Sequence, residues 1–509
     1  MKKVLILLMA LVISCGAAGM AHAIEFKAKG IWLMAFQYGQ NGNFTSKGHQ
    51  GYDNNEDNFE ASSRTQLQLD AIASENLSSN LFLEIGASTW GKSANGGAMG
   101  ADSSIVKLKR AYIDWQVPDT PLKLRMGIQG VLSPAYAMDG PTVLAADVGA
   151  VTAALRLNDN VGLTAFWVRP YNDNYLSDGD DDDSSYFMDN MDVFSLALTL
   201  TFDGVKVTPW GIFATLGPNT VRSSGDYQGN RINVPDGNIF LSGMFPVMAN
   251  VEGIAKGKSL DHYANAWWAG VTGEVTVLDP FRLAWEATWG GVTWEDDPSL
   301  NRSGWMATLI LEYRTDWGIP GIYGWYSSGD DDDLGNGSER MPFICNDLGW
   351  ANYSSYYAGV SLKGIVRDHT MVNTLTGTWG VGFRLKNMTF IENLSHTFHC
   401  ALIGGTNDPG ILKEIHSRTG TWMTPNTTGS ATEVGRDNLY LTKKDHVLDI
   451  GLDTTWTIYE NLEVDLNANY IMLFLDKSDD TWGQALTGGG TCRDLRDAWN
   501  IHMLFRYHF

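Results

Sequence analysis

Apolar and polar residues alternate along most of this chain with a period of two, the mark of strands whose successive side chains point to opposite sheet faces. The clearest run is Leu462-Glu463-Val464-Asp465-Leu466-Asn467-Ala468-Asn469-Tyr470. Leu122, Leu124, Met126 and Ile128 alternate with Lys123, Arg125, Gly127 and Gln129. Phe281, Leu283, Trp285, Ala287 and Trp289 alternate with Arg282, Ala284, Glu286 and Thr288. Segments 194–202 and 448–458 follow the same rule.

The connections separate this pattern from a soluble sandwich. Short turn-rich segments recur at 77–80, 118–121, 158–160, 203–204, 279–280 and 460–461. Between them lie long polar or Gly-rich stretches, such as 40–60, 170–190, 217–262, 329–353 and 401–444. Short connections on one side and long ones on the other predict an all-β fold, a transmembrane antiparallel β-barrel with short periplasmic turns and long extracellular loops. Segment counting gives 16–18 strands, the ambiguity lying at 354–386. The last segment ends on an apolar stripe, Trp499, Ile501, Met503, Phe505, Tyr507 and Phe509, opposite His502, Arg506 and His508. A sheet in lipid must close, because lipid satisfies no backbone polar group. Charges on the inner face then need a wet lumen, which sixteen or more strands leave open.

Residues 1–23 are expected to be a cleaved signal peptide: Lys2 and Lys3, a short apolar run, then Ala21-His22-Ala23. A lipoprotein-like box at Val12-Ile13-Ser14-Cys15 is the alternative. Beyond it the chain has Cys345, Cys400 and Cys492, an odd set from which sequence picks no pair. No later window is apolar enough for a membrane helix. With 19 Trp, 19 Tyr and 20 Phe against 18% charged residues, the composition fits aromatic girdles. The net charge of −22 argues against nucleic acid. No GxSxG or Gly-rich phosphate loop after a strand supports an enzyme.

Candidate pore-lining cations are Arg64, Lys107, Lys109, Lys123, Arg125 and Arg156, with Lys123, Arg125 and Arg156 foremost for a constriction. Carboxylates at Asp70, Glu84, Glu286, Glu312, Glu463 and Asp465 occupy similar phases; the plainer reading of all these charges is solvated lumen residues. The alternation slips near Lys107–Arg110, where a bulge is expected. Segment 131–149 is apolar for an outer loop and carries Asp139 and Asp147. It is expected to fold inward as the constriction loop with its aspartates facing the basic strands, or else to form a subunit contact. Segment 238–251 is a second inward candidate. Two acidic runs offer Asp178, Asp180, Asp182, Asp330 and Asp332 as calcium ligands, although neither completes an EF-hand. The alternatives there are a solvated charge run or divalent bridging to lipopolysaccharide. No other cofactor is expected.

Leu124-Arg125-Met126-Gly127-Ile128-Gln129-Gly130 resembles the strand before the constriction loop of the homotrimeric outer-membrane porins of Desulfovibrio-type sulfate reducers. Ser328-Gly329-Asp330 through Gly337-Ser338-Glu339-Arg340-Met341-Pro342 resembles an acidic outer loop of that family. The resemblance implies a homotrimer in the outer membrane of a Gram-negative bacterium and passive diffusion of small hydrophilic solutes. A substrate-specific channel with a binding site in its lumen, and a structural barrel with a plugged lumen, are the other readings.

Overall fold

The computed structural model describes residues 24–40, 58–91, 99, 106–137, 140–172, 190–217, 243–246, 260, 262–344, 375–420, 422–423, 440–484 and 497–509. These form eighteen strands in one antiparallel sheet. The first nine are β1 (Glu25–Gln40), β2 (Asn58–Ser74), β3 (Leu77–Thr89), β4 (Val106–Gln116), β5 (Leu122–Leu132), β6 (Ala145–Arg156), β7 (Val161–Asn172), β8 (Asn190–Phe202) and β9 (Val205–Leu216). The rest are β10 (Ala264–Val275), β11 (Phe281–Thr293), β12 (Arg302–Tyr313), β13 (Ile319–Ser327), β14 (Thr378–Ile391), β15 (Leu394–Gly405), β16 (His446–Tyr459), β17 (Leu462–Phe474) and β18 (Ala498–His508).

Each strand pairs with its chain neighbours, and β1 also pairs with β18 from Ile31↔His508 to Gln40↔Trp499. Phe509 completes the seam: its carbonyl accepts from the Gly30 amide at 2.8 Å. The sheet therefore closes without an edge. Connections after even-numbered strands run 2–5 residues, and those after odd-numbered strands are longer. The first short turn is 75–76, not 77–80, because Leu77 to Asn80 are already paired in β3. Gly204 closes one two-residue turn at φ +66°, a conformation that suits a residue without a side chain.

The burial pattern is the reverse of a soluble protein's. On β12, Trp305, Leu309 and Tyr313 are 45%, 52% and 41% exposed, while Thr308 and Glu312 are each 7% exposed. On β17, Leu466 and Tyr470 face outward while Asp465, Asn467 and Asn469 are buried. Ile501, Tyr507 and Phe509 extend the exposed apolar face across the seam. An apolar belt around a closed sheet with polar side chains inside is stable only against lipid. The class is an outer-membrane β-barrel.

Among the described residues the outer connections carry one short α-helix, α1 (Gly410–Thr419), which buries Ile411, Leu412 and Ile415. Of segment 238–251, residues 243–246 are described; Met244 and Phe245 are fully buried, and Phe245 stacks on Trp294 at 4.9 Å. Cys400 is a free thiol on β15, whereas Cys345 and Cys492 lie outside the described residues, as do residues 1–23.

Candidate functional site

The segment between β5 and β6 crosses the barrel interior. Its strand ends are tighter than the sequence suggests: Leu132↔Ala145 and Gly130↔Asp147 are ladder pairs, so the free loop is 133–144. Tyr136 is fixed to the β9–β11 wall by four side chains. The Tyr136 and Ala137 amides both donate to Glu286 Oε1 at 2.9 Å, and the Tyr136 carbonyl accepts from Arg282 Nη2 at 2.7 Å. The Tyr136 hydroxyl lies 2.7 Å from Thr208 Oγ1, and Lys206 Nζ sits 4.4 Å from the ring centre. Val143 and Leu144 are buried beneath the outer connections, and the Val143 carbonyl accepts from the Ile344 amide. The loop is thus a strap joining β5–β6 to β9 and β11. An apolar loop buries its side chains this way only if its backbone finds polar partners, which Glu286 and Arg282 supply.

Arg282 continues into a charge cluster. It reaches Glu274 at 3.1 Å and Glu312 at 2.7 Å, and Glu312 also binds Arg384 at 2.6 Å. Glu312 is buried, and its two guanidinium partners offset the cost of removing its charge from water.

The wall β2–β6 carries the basic residues. Arg125 binds Asp114 through two parallel hydrogen bonds of 2.6 and 2.8 Å, and its guanidinium lies 4.2 Å from the Tyr112 ring centre. Lys123 reaches the same carboxylate at 3.1 Å. Two cations share one acid, so this group is net positive. A second set runs through Arg64, Glu84, Lys109, Asp147 and Arg110, with separations of 3.6, 3.8, 3.5 and 2.6 Å. The register shift between Phe82 and Leu83, opposite Arg110 and Leu108, is the expected bulge; it leaves Lys109 without a ladder partner.

The predicted residues therefore divide. Arg64, Lys123 and Arg125 sit on the β2–β6 wall. Asp147 lies in β6 rather than in the loop, and meets Arg110 and Lys109 rather than Lys123 or Arg125, because the ladder places it opposite Gly130. Arg156 ends β6 at the short-turn rim, 71% exposed and paired with Asp159 at 2.9 Å. Arg125 is opposite Thr152, four residues away, so Arg156 does not join it. Asp139, Asp178, Asp180 and Asp182 lie outside the described residues.

Asp330 is a buried hydrogen-bond acceptor. The Ser338 hydroxyl donates to one of its oxygens and the Tyr440 hydroxyl to the other at 2.8 Å. Asp332 lies beside Gly410 at the start of α1. Burial pushes the Glu339 carboxyl up from its ordinary value, and the Asp331 amide donates to it at 2.9 Å. Among the described residues, no group of three or more His, Cys, Asp or Glu is placed to hold a metal ion. The Asp330 carboxylate thus ties the 328–344 connection to the strand of chain leading into β16.

Asp114 was legible in principle: counting equal steps from the 118–121 turn puts it opposite Arg125. No local signal pairs Tyr136 with Glu286, 150 residues away.

No protein-family model matches the chain, and no curated protein matches it significantly. Solved structures do. Acinetobacter baumannii OccAB3 shares 8% identity over 95% of this chain and 99% of that one, with a TM-score of 0.49. Acinetobacter baumannii OccAB2 gives 9%, 95%, 98% and 0.48 in the same order. Pseudomonas aeruginosa OccK9 (OpdG) gives 10%, 97%, 100% and 0.48. At such identities and scores the likeness transfers neither substrate nor residue roles.

Proposed function

We propose that this barrel is an outer-membrane porin: a water-filled channel for passive diffusion of small hydrophilic solutes and ions. The observation that carries this reading is the charged inner wall of β2–β6, with Lys123 and Arg125 sharing Asp114 beside an inward strap. Charges there are tolerable in contact with water and costly in a dry core. The strap acts as the constriction loop, and Arg64, Lys123 and Arg125 with Asp114 bias which ions pass. Arg156 has no part in this, since it stands at the rim. The motifs around Arg125 and Asp330 support a Desulfovibrio-type homotrimeric porin, working beside lipopolysaccharide.

Planar-bilayer recording of purified protein tests the reading. Large ohmic steps are expected, and a silent membrane with correctly folded protein would refute it. Native electrophoresis of unheated protein should show a species three times the monomer mass. A substrate-specific channel is the second reading, favoured by a chamber of about 630 Å³ beside the strap. Saturable block by one solute would distinguish it.

A further inference from the structure

The outward surface of the barrel changes character between β4 and β6. On β12 the outward residues Trp305, Ala307, Leu309, Leu311 and Tyr313 form an unbroken apolar row. On β5, Gln129 and Val131 are buried and face the lumen, so Gly130 between them faces out, and its ladder partner Asp147 with it. A methyl group at Gly130 would stand 3.2 Å from the Arg110 guanidinium. Arg110 therefore lies across the outer side of β5, and it reaches Asp147 on β6 at 2.6 Å. Exposed Ile113 and Ile128 stand on the short-turn side of this pair, and exposed Leu108, Val106 and Leu132 on the other. The pair is thus set inside the apolar belt, where charge against lipid is costly.

The ladder stops at the same place. β4 and β5 pair from Gln116↔Lys123 to Ala111↔Ile128 and no farther, although β3 follows β4 to Val106 and β6 follows β5 to Leu132. A seam separates Val106–Arg110 from Gln129–Leu132. The Lys109 ammonium stands in it, 3.8 Å from Glu84 on the lumen side and 3.5 Å from Asp147 on the outer side. Lipid satisfies neither a strand edge nor an ion pair.

A lipid phosphate would suit Arg110 and Lys109 but would meet the Asp147 carboxylate that both cations already share. A patch holding both signs is complementary to a copy of itself about a rotation axis. The outward residues beside it on β6 include Ala145, Gly149 and Ala153, and no atom lies within 4 Å of a methyl group added at Gly149. A second sheet can approach closely there.

We infer that the outward face of β4–β6 is where a second copy of this chain docks, covering the Arg110–Asp147 pair and the β4–β5 seam. This deepens the homotrimer reading above and rests on it.

The test uses the full chain extracted in mild detergent without heating, its mass read by light scattering. Gly149→Trp puts bulk where a single copy has open space, and should shift the oligomer to the monomer mass. Leu309→Trp, an outward change on β12, should leave the oligomer intact. Arg110→Ala should weaken assembly, so that monomer appears at protein concentrations where the unaltered chain stays assembled. Heat-modifiable migration on gels checks that each variant is a folded barrel. An oligomer that survives both Gly149→Trp and Arg110→Ala overturns the proposal and leaves the homotrimer standing. An unaltered chain that is monomeric in detergent, and after chemical cross-linking in native membranes, overturns both. Lipopolysaccharide that copurifies with the unaltered chain and is lost with Arg110→Ala, the oligomer being unchanged, assigns the face to lipid and overturns the proposal alone.

Discussion

Two regions of the barrel wall share one lipid-facing pattern and differ in what fills the interior beside them. The β2–β6 wall holds charges matched across neighbouring strands, Asp114 opposite Arg125 and Glu84 opposite Lys107. The β9–β14 wall holds large aromatics matched to glycines: Trp210 opposite Gly270, Trp268 opposite Gly290, Trp325 opposite Gly380 and Tyr323 opposite Gly382. A methyl group at any of these four glycines would overlap its partner ring. The Trp268 indole N–H donates to the Pro342 carbonyl and that of Trp325 to Thr378, so both rings are pinned. Complementarity across the ladder works by sign in both regions, since Arg282 also lies opposite Glu312, and in the β9–β14 wall by size as well. A cavity opens beside Lys123 and Arg125 in the first region, while Trp210, Trp268, Tyr323 and Trp325 are buried in the second.

The strap joins the two regions, so breaking it should have the largest effect. Glu286→Ala removes the acceptor of the Tyr136 and Ala137 amides, a loss of about 2–6 kcal/mol in anchoring at roughly 1–3 kcal/mol per unsatisfied group. Single-channel recording should show a larger conductance and greater open-channel noise. An unchanged trace would mean that the strap does not limit the pore.

Next comes the packed wall. Gly380→Ala forces the Trp325 indole to move and should cost about 1–3 kcal/mol, read as a lower urea midpoint. Gly162→Ala is the contrast: no atom lies near the added methyl group, and the change should stay within about 0.5 kcal/mol. Similar losses at both sites would mean that the Trp325 ring is not what makes position 380 tight.

The charged wall should respond in selectivity more than in stability. Asp114→Asn frees Lys123 and Arg125 from their shared acid. Reversal potentials under a potassium chloride gradient should shift toward chloride, while stability falls by no more than about 1 kcal/mol, the pairs being partly exposed. Arg156→Gln should do least, leaving selectivity unchanged and stability within about 0.5 kcal/mol. A selectivity change there would restore Arg156 to the constriction.

Strand existence, facing and the lipid-exposed stripe were legible because alternation is local: a side chain's face follows from its parity and the nearest turn. The stripe from Trp499 to Phe509 and the inward phase of Lys123 and Arg125 could be read this way. So could the bulge near Lys109, where parity visibly slipped. Parity did not separate Arg156 from Arg125, because it says nothing of depth: Arg156 lies four residues along β6 from Thr152, the residue opposite Arg125. Asp147 faces the basic strand β4, but from β6 rather than from the loop, because the loop's apolar composition continues into β6 and hides where pairing resumes.

What the sequence determined by itself is the kind of object: a closed sheet with apolar residues outward, since period-two patterning and hairpin turns act over a few residues. What only the tertiary structure decided is how the interior is divided. Tyr136 meets Glu286 across 150 residues, and the tryptophans meet their glycines, because closure of the eighteen strands sets those distances. No local propensity encodes them.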